Sequence, residues 1–190
     1  EFAYKIYKNK PKNIIAVTGT NGKSSVADFY FQILKLNKKR VASIGTLGIK
    51  TQNYIRKVSN TTIDPITLSI VLNKLKKEKI NNVILEASSH GLKQNRLDGL
   101  EFKTGIFTNL SHDHLDYHKT FSDYLESKLY LFKKLLKKNA NIITDIEIPQ
   151  YGRIKKIALK NRFNIKTISD NKGNLEIVSH EYCDGNQIVN

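Results

Sequence analysis

The chain has 190 residues, enough for one sizeable core or for one domain and a fragment of another. Its 32 Lys and Arg against 17 Asp and Glu leave a charge of +15. The lysines, however, cluster at 35–40, 74–79 and 133–138, near the ends of helical patterns, where cations suit the helix dipole and form a solvated face, so a specific nucleic-acid interface is not expected. One cysteine, Cys183, excludes an internal disulfide and a cysteine-rich metal site, and no run of 18 apolar residues is available to span a membrane. A reducing cytoplasm is the expected setting.

The opening stretch lacks the apolar core of a signal peptide, and the chain has no Met, which reads as a segment of a longer protein. Residues 13–19, NIIAVTG, form an apolar strand running into a glycine-rich turn, followed by a helix over 23–37 and a second strand over 40–46. The stretch 64–79 reads as a helix, with Pro65 in its first turn and Ile66, Leu68, Val71, Leu72 and Leu75 at helical spacing. Strands follow at 81–87 and 103–110, then a helix over 121–138, a strand at 139–145, a basic helix around 149–161 and a strand at 163–169. Apolar strands alternating with helices predict an α/β, doubly wound, mostly parallel sheet. From 174 onward the pattern changes to a hairpin around Asp184–Gly185, predicting antiparallel strands at the C-terminal end.

In such sheets ligands gather at the carboxyl ends of the strands. After the first strand stands TGTNGKSS, 18–25, a P-loop-like turn in which Val17 occupies the place of the general pattern's first glycine. Gly19 and Gly22 let backbone N–H groups face an anion at a helix N-terminus; Lys23 can neutralise phosphate charge and Ser24 can reach Mg²⁺. A nucleoside triphosphate is the expected ligand. After the third strand, Glu86 puts a carboxylate beside this loop, suited to holding Mg²⁺ directly or through water. After the fourth, residues 108–118 hold His112, His114, His118, Asp113 and Asp116. Alternating histidines in a loop without cysteine or a second His-rich segment fit an oxygen-dominated Mg²⁺ site with one imidazole better than zinc. One residue of the 121–138 helix is out of pattern. Lys128 interrupts the apolar stripe Phe121, Leu125, Phe132, Leu135; periodicity alone lets its stem line the core edge while the ammonium reaches water.

With TGTNGKSS, SNTTIDP (59–65), EASSHGLKQNRLDG (86–99) and FTNLSHDHLDYHKTFSDYLESK (107–128) in order and spacing, the chain from about 11 to 170 resembles the ATP-dependent Mur ligases of peptidoglycan synthesis. It is most similar to the branch that adds diaminopimelate or lysine to UDP-MurNAc-L-Ala-D-Glu. TNGK alone would also admit a folylpolyglutamate synthase-like ligase; a non-catalytic nucleotide- or nucleic-acid-binding module is the alternative from another class.

The resemblance implies that Gly19, Thr20, Asn21, Gly22, Lys23, Ser24 and Ser25 cradle ATP. It implies Ser24, Glu86, His114 and Lys128 at Mg²⁺, the last as a CO₂-derived carbamate, with Lys23, Glu86, His114 and Lys128 forming the catalytic set. Burial would favour that modification by lowering the amine's pKa and raising the fraction that reacts with CO₂. Asn60, Thr61, Thr62, Ser88, Gln94 and Arg96 would hold the UDP-sugar-peptide. The chain departs from the family at Ile63, where proline is usual, at His112, where arginine is usual, and at Asp145-Ile146-Glu147, where Asp-Asp is usual. The implied organisation is a linker over 1–12 from an N-terminal UDP-binding domain and a central ATPase domain over 13–190, incomplete at its C-terminal end. A separate C-terminal ligase domain would follow. The implied protein is a cytoplasmic monomer with no membrane or specific nucleic-acid partner, and this segment alone would be inactive.

Overall fold

The structure is a computed structural model that describes residues 2–113, 116–169, 173–176, 179–183 and 186–189. Alternation along the first strand, β1 (Asn13–Thr18), sets the architecture: Ile14 and Ala16 enter one core, and Ile15 and Val17 pack into another on the opposite face. β1 lies at the centre of a nine-stranded sheet. On one side it pairs in parallel with β5 (Asn82–Glu86), which pairs in parallel with β2 (Val41–Gly45). On the other side come β6 (Phe102–Phe107), β7 (Leu136–Asp145), β8 (Asn164–Ser169) and β9 (Leu175–Glu176), all parallel. Two short strands, β3 (Gly48–Lys50) and β4 (Ile55–Arg56), extend the β2 edge antiparallel.

Helix α2 (Lys23–Leu36) covers one face, burying Ala27 against Val17 and Ile84. The larger core lies on the other face, beneath α3 (Pro65–Lys77), α4 (Ser89–Lys93), α5 (Phe121–Tyr130) and α6 (Tyr151–Asn161). A short α1 (Phe2–Ile6) adds Tyr4 to that core. The apolar spacing read in α3 is its buried face, with Leu68, Val71, Leu72 and Leu75 inside; Ile66 is exposed. Asp64 caps this helix, accepting N–H bonds from Ile66 at 3.0 Å and Thr67 at 2.9 Å. No helix among the described residues is long and apolar enough to cross a membrane.

Three features differ from the sequence expectation. The 121–138 helix is α-helical only to Tyr130; Leu131–Leu135 form a π-helical turn and the chain is in β7 from Leu136. That turn buries Leu131, Phe132 and Leu135 together, and Phe132 presses so closely on β6 that a Cβ on Gly105 would meet its ring at 2.8 Å. Residues 175–176 join β8 in parallel instead of entering a hairpin. The hairpin itself is β10 (His180–Cys183) with β11 (Asn186–Val189), a separate antiparallel pair; its turn residues, Asp184 and Gly185, lie outside the described residues. The antiparallel β3–β4 edge has no apolar alternation by which the sequence could announce it.

Candidate active site

Four strand ends meet beside β1. At the first, the chain turns through Gly19, φ +149°, where a Cβ would lie 1.9 Å from Thr108 Oγ1, so no larger residue fits. Gly22 follows at φ +81°. The loop is pinned to the end of β6: Asn109 O accepts from Thr20 N at 2.9 Å, Asn109 Oδ1 accepts from Asn21 N at 2.9 Å, and Thr108 Oγ1 donates to Asn21 O at 2.6 Å. Gly22 occupies the N-cap of α2 and offers no side chain to its first-turn N–H groups. These donors border a cavity of about 300 Å³ lined by residues 20–25, Thr46, Thr61, Glu86, Ser88, Ser89 and Lys128. An uncapped helix N-terminus beside a lysine is an anion site.

Lys23 folds back over the loop, donating to Gly19 O at 3.0 Å and Thr20 O at 2.7 Å. Burial lowers its pKa, countered by the nearby charges of Glu86 and Asp113. At the end of β5, Glu86 is 2% exposed and fully engaged. Its Oε2 accepts from Ser24 Oγ at 2.8 Å and Thr46 Oγ1 at 3.2 Å, and its Oε1 accepts from Thr46 N at 2.9 Å. The carboxylate lies over Gly45, where a Cβ would come within 2.1 Å of Oε1.

Lys128 does not snorkel. It is 1% exposed, and its Nζ donates to Gly19 O at 2.7 Å. The α5 face that carries it turns toward the P-loop, so the stem that would have reached water ends instead at the cavity. The ammonium lies 4.4 Å from the centroid of the Tyr124 ring. Burial first, and then the charge of Lys23, push its pKa down to about 7, with Asp113 opposing.

Four of the residues expected at the sugar-peptide form one network. Thr62 Oγ1 donates to Glu86 O at 2.9 Å, accepts from Ser88 N at 2.9 Å and lies 3.0 Å from Ser88 Oγ. Arg96 Nη1 donates to Thr62 O at 2.6 Å and its Nε to Gln94 Oε1 at 2.9 Å. Thr61 Oγ1 lies 3.0 Å from Thr46 Oγ1. Asn60 stands apart and exposed, its Nδ2 donating to the neighbouring Ser59 Oγ at 3.2 Å. Ser25 lines the same cavity beside Ser24. At the family departures, Ile63 is buried in the core, and His112 stacks on Phe121 with ring centroids 4.9 Å apart. Glu147 Oε1 accepts from Ser169 Oγ at 2.8 Å.

His114 lies outside the described residues. His118 is fully buried in a ring cluster with His90, Tyr117 and Tyr124, its Nδ1 3.5 Å from both Ser127 Oγ and Asp123 Oδ2; burial lowers its pKa. Among the described residues no group of three or more His, Cys, Asp and Glu side chains could hold a metal. The donors that do converge, a hydroxyl and a carboxylate, are hard oxygens, which suit Mg²⁺ shared with phosphate. Sequence reasoning passed over Gly45, Thr46, Thr108, Asn109 and Tyr124. The strand-end rule applied to the second strand would have found Gly45 and Thr46, while Tyr124 carries no signal beyond an apolar position.

A family model described as the Mur ligase middle domain matches residues 17–188. A curated relative from Brucella melitensis, UDP-N-acetylmuramoyl-L-alanyl-D-glutamate--2,6-diaminopimelate ligase, is 41% identical over 182 residues, covering 94% of this chain and 37% of the relative. A solved structure of an enzyme of that name superposes with a TM-score of 0.85 at 30% identity, covering 99% of this chain and 38% of the other. Folylpolyglutamate synthase from Mycobacterium tuberculosis, solved with ADP, gives a TM-score of 0.75 at 12% identity over 98% of this chain and 49% of that one, a likeness of fold. The chain thus spans little more than a third of the curated relative's length. Matched from the end of β1 to the final hairpin, and with the P-loop, the β5 carboxylate and the buried lysine assembled at one cavity, the chain belongs to the Mur ligase family.

Proposed function

We propose that this chain is the ATP-handling central domain of a cytoplasmic, monomeric ligase that joins 2,6-diaminopimelate to UDP-MurNAc-L-Ala-D-Glu. The observation that carries this is the meeting of Lys23, Ser24, Glu86 and Lys128 at the uncapped N-terminus of α2. The relatives' printed names support diaminopimelate over lysine. Residues 1–12 would link to an N-terminal UDP-binding domain, and a C-terminal domain would complete the site. Among the described residues, the side-chain groups that meet Glu86 are the hydroxyls of Ser24 and Thr46, hard oxygens that fit a hard divalent cation.

In the reaction, the substrate's D-Glu carboxylate takes the γ-phosphoryl group of ATP, giving an acyl phosphate and ADP. The amine of the incoming amino acid then attacks the acyl carbon, forming the amide C–N bond and losing a proton as the C–O bond to inorganic phosphate breaks. Mg²⁺, when bound, supplies charge neutralisation at the phosphates. The α2 N–H groups and Lys23 receive phosphate oxygens, Lys23 leaving its carbonyl partners to do so. Ser24 and Glu86 would hold the cation, together with His114 and the carbamate of Lys128. The carbamate forms when the neutral Lys128 amine attacks CO₂, making a C–N bond and losing a proton. Arg96, Gln94, Thr62 and Ser88 would orient the sugar-peptide, Arg96 through a charge-assisted bond. No nucleophile is required of the protein, and Ser88-Ser89-His90 lacks the elbow of a hydrolase.

The test is ATP binding and turnover by the complete ligase. Lys23→Ala should abolish both; unchanged ATP binding would overturn the P-loop assignment. Turnover with a folate in place of the sugar-peptide would favour the folylpolyglutamate synthase-like reading.

A further inference from the structure

Tyr124 is fully buried and stands one helical turn before Lys128 on α5, so the two side chains share a face. Its two ends meet different parts of the site. The ring lies beneath the Lys128 ammonium, at 4.4 Å. The hydroxyl lies 3.1 Å from Thr20 Oγ1, which also accepts from Ser111 N at 3.0 Å. Lys128 itself donates to Gly19 O, so the pair grips consecutive P-loop residues, Gly19 through the amine and Thr20 through the phenol. Phenylalanine would fill the same space in the core. What the phenol adds is a hydroxyl spent on the phosphate loop. Burial raises its pKa above the ordinary tyrosine value, so the O–H is retained at physiological pH.

We propose that Tyr124 is a positioning residue of the ligase, setting the P-loop through Thr20 and the Lys128 amine through its ring. This rests on the functional reading above. Thr20 begins the loop that leads to Lys23 and Ser24, so its anchorage fixes where the phosphate donors stand. The ring fixes the direction in which the Lys128 nitrogen enters the cavity. The two duties belong to separate groups of one side chain and can be removed separately.

The experiment uses the complete ligase, with Tm measured for every variant. Tyr124→Phe keeps the ring and should raise the KM for ATP about fivefold, the effect of one neutral hydrogen bond, while kcat stays within about twofold. Tyr124→Leu should lower kcat as well. In a Thr20→Val background, Tyr124→Phe should have no further effect on that KM, because the partner hydroxyl is already gone. A filler of the core would move Tm and leave the KM for ATP where it was; that result for Tyr124→Phe, or an equal effect in the Thr20→Val background, would overturn the inference. Lys23→Ala is the control: its loss of ATP binding upholds the functional reading whatever Tyr124→Phe does, and its failure would overturn both.

Discussion

Lys23 and Lys128, 105 positions apart in the sequence, donate to the same oxygen, the carbonyl of Gly19, at 3.0 and 2.7 Å. Two amines sharing one acceptor have more donors than partners, and the charge of Lys23 works against the ionised form of Lys128. On the proposed function, a phosphate chain would supply the missing acceptors by drawing Lys23 into the cavity. A carbamate on Lys128 would turn the repulsion between the two into attraction.

The first prediction concerns pH. The Lys128 pKa is about 7 when folded, against 10.5 for an ordinary lysine. Between those values the unfolded chain binds a proton that the folded chain does not, so stability rises with pH through that window. Below about pH 7 the cost of burying the ammonium is present in full. In CO₂-free buffer, Lys128→Met should therefore remain folded and show a flatter rise in stability from pH 7 to 10 than the parent protein. Urea titrations at several pH values would check this; parallel curves would mean that Lys128 keeps an ordinary pKa.

A second prediction follows from the packing of Glu86 on Gly45. Glu86→Gln should weaken Mg²⁺-dependent nucleotide binding about 10- to 100-fold, the range for altered metal-site groups, and leave Mg²⁺-free binding nearly unchanged. Gly45→Ala should reproduce this without touching the carboxylate, because its Cβ would fall 2.1 Å from Glu86 Oε1 and must displace it. Calorimetric titration of ADP with and without Mg²⁺ separates the two terms. A Gly45→Ala protein that binds like the parent would show that the carboxylate's placement is not required.

Much of this was legible in the sequence, for identifiable reasons. The strands of the sheet's centre are short apolar runs, and Gly19, Lys23, Ser24 and Glu86 fall at their ends, where topology alone directs ligands. The P-loop's partners were not legible. Thr108 and Asn109 reach the loop only because β6 lies beside β1, a pairing no local pattern records. Lys128 is visible as an intruder in an apolar stripe and so as inward-facing, but periodicity favours an ammonium that reaches water past the core edge. Its actual end at the P-loop depends on how α5 packs against that loop. Tyr124 was invisible because an aromatic residue on a buried helix face looks like core. The π-helical turn at Leu131–Leu135 was hidden by the same ambiguity, since a widened turn and an α-helical one bury similar residues.

Arg96 supplies a third prediction. One arm of its guanidinium holds Thr62 O and another group holds Gln94, so it braces the two segments expected at the sugar-peptide. Arg96→Lys keeps the charge but cannot span both partners. It should raise the KM for UDP-MurNAc-L-Ala-D-Glu about tenfold, the loss of one charge-assisted bond, while the KM for ATP stays unchanged. Steady-state kinetics with each substrate varied in turn would show the split. A rise confined to the KM for ATP would place Arg96 on the nucleotide side instead.

The last prediction tests what Lys128 becomes. If the catalytic group is the carbamate, the needed chemistry is an anionic oxygen at the end of the side chain, and the amine is only its carrier. Lys128→Ala should then lower kcat of the complete ligase at least 100-fold, roughly the loss of one electrostatic contact in the transition state. The truncated side chain would leave a space in which a short-chain carboxylate can sit, with its oxygens near those of the carbamate. Added acetate or propionate should restore part of the activity of Lys128→Ala and none of that of Glu86→Gln. The parent protein equilibrated with ¹³CO₂ should also show a carbamate carbon resonance that Lys128→Ala lacks. Rescue by a short-chain amine and not by a carboxylate would identify the ammonium as the working group. Undiminished activity of Lys128→Ala would remove the residue from the mechanism and leave it a buried brace for Gly19.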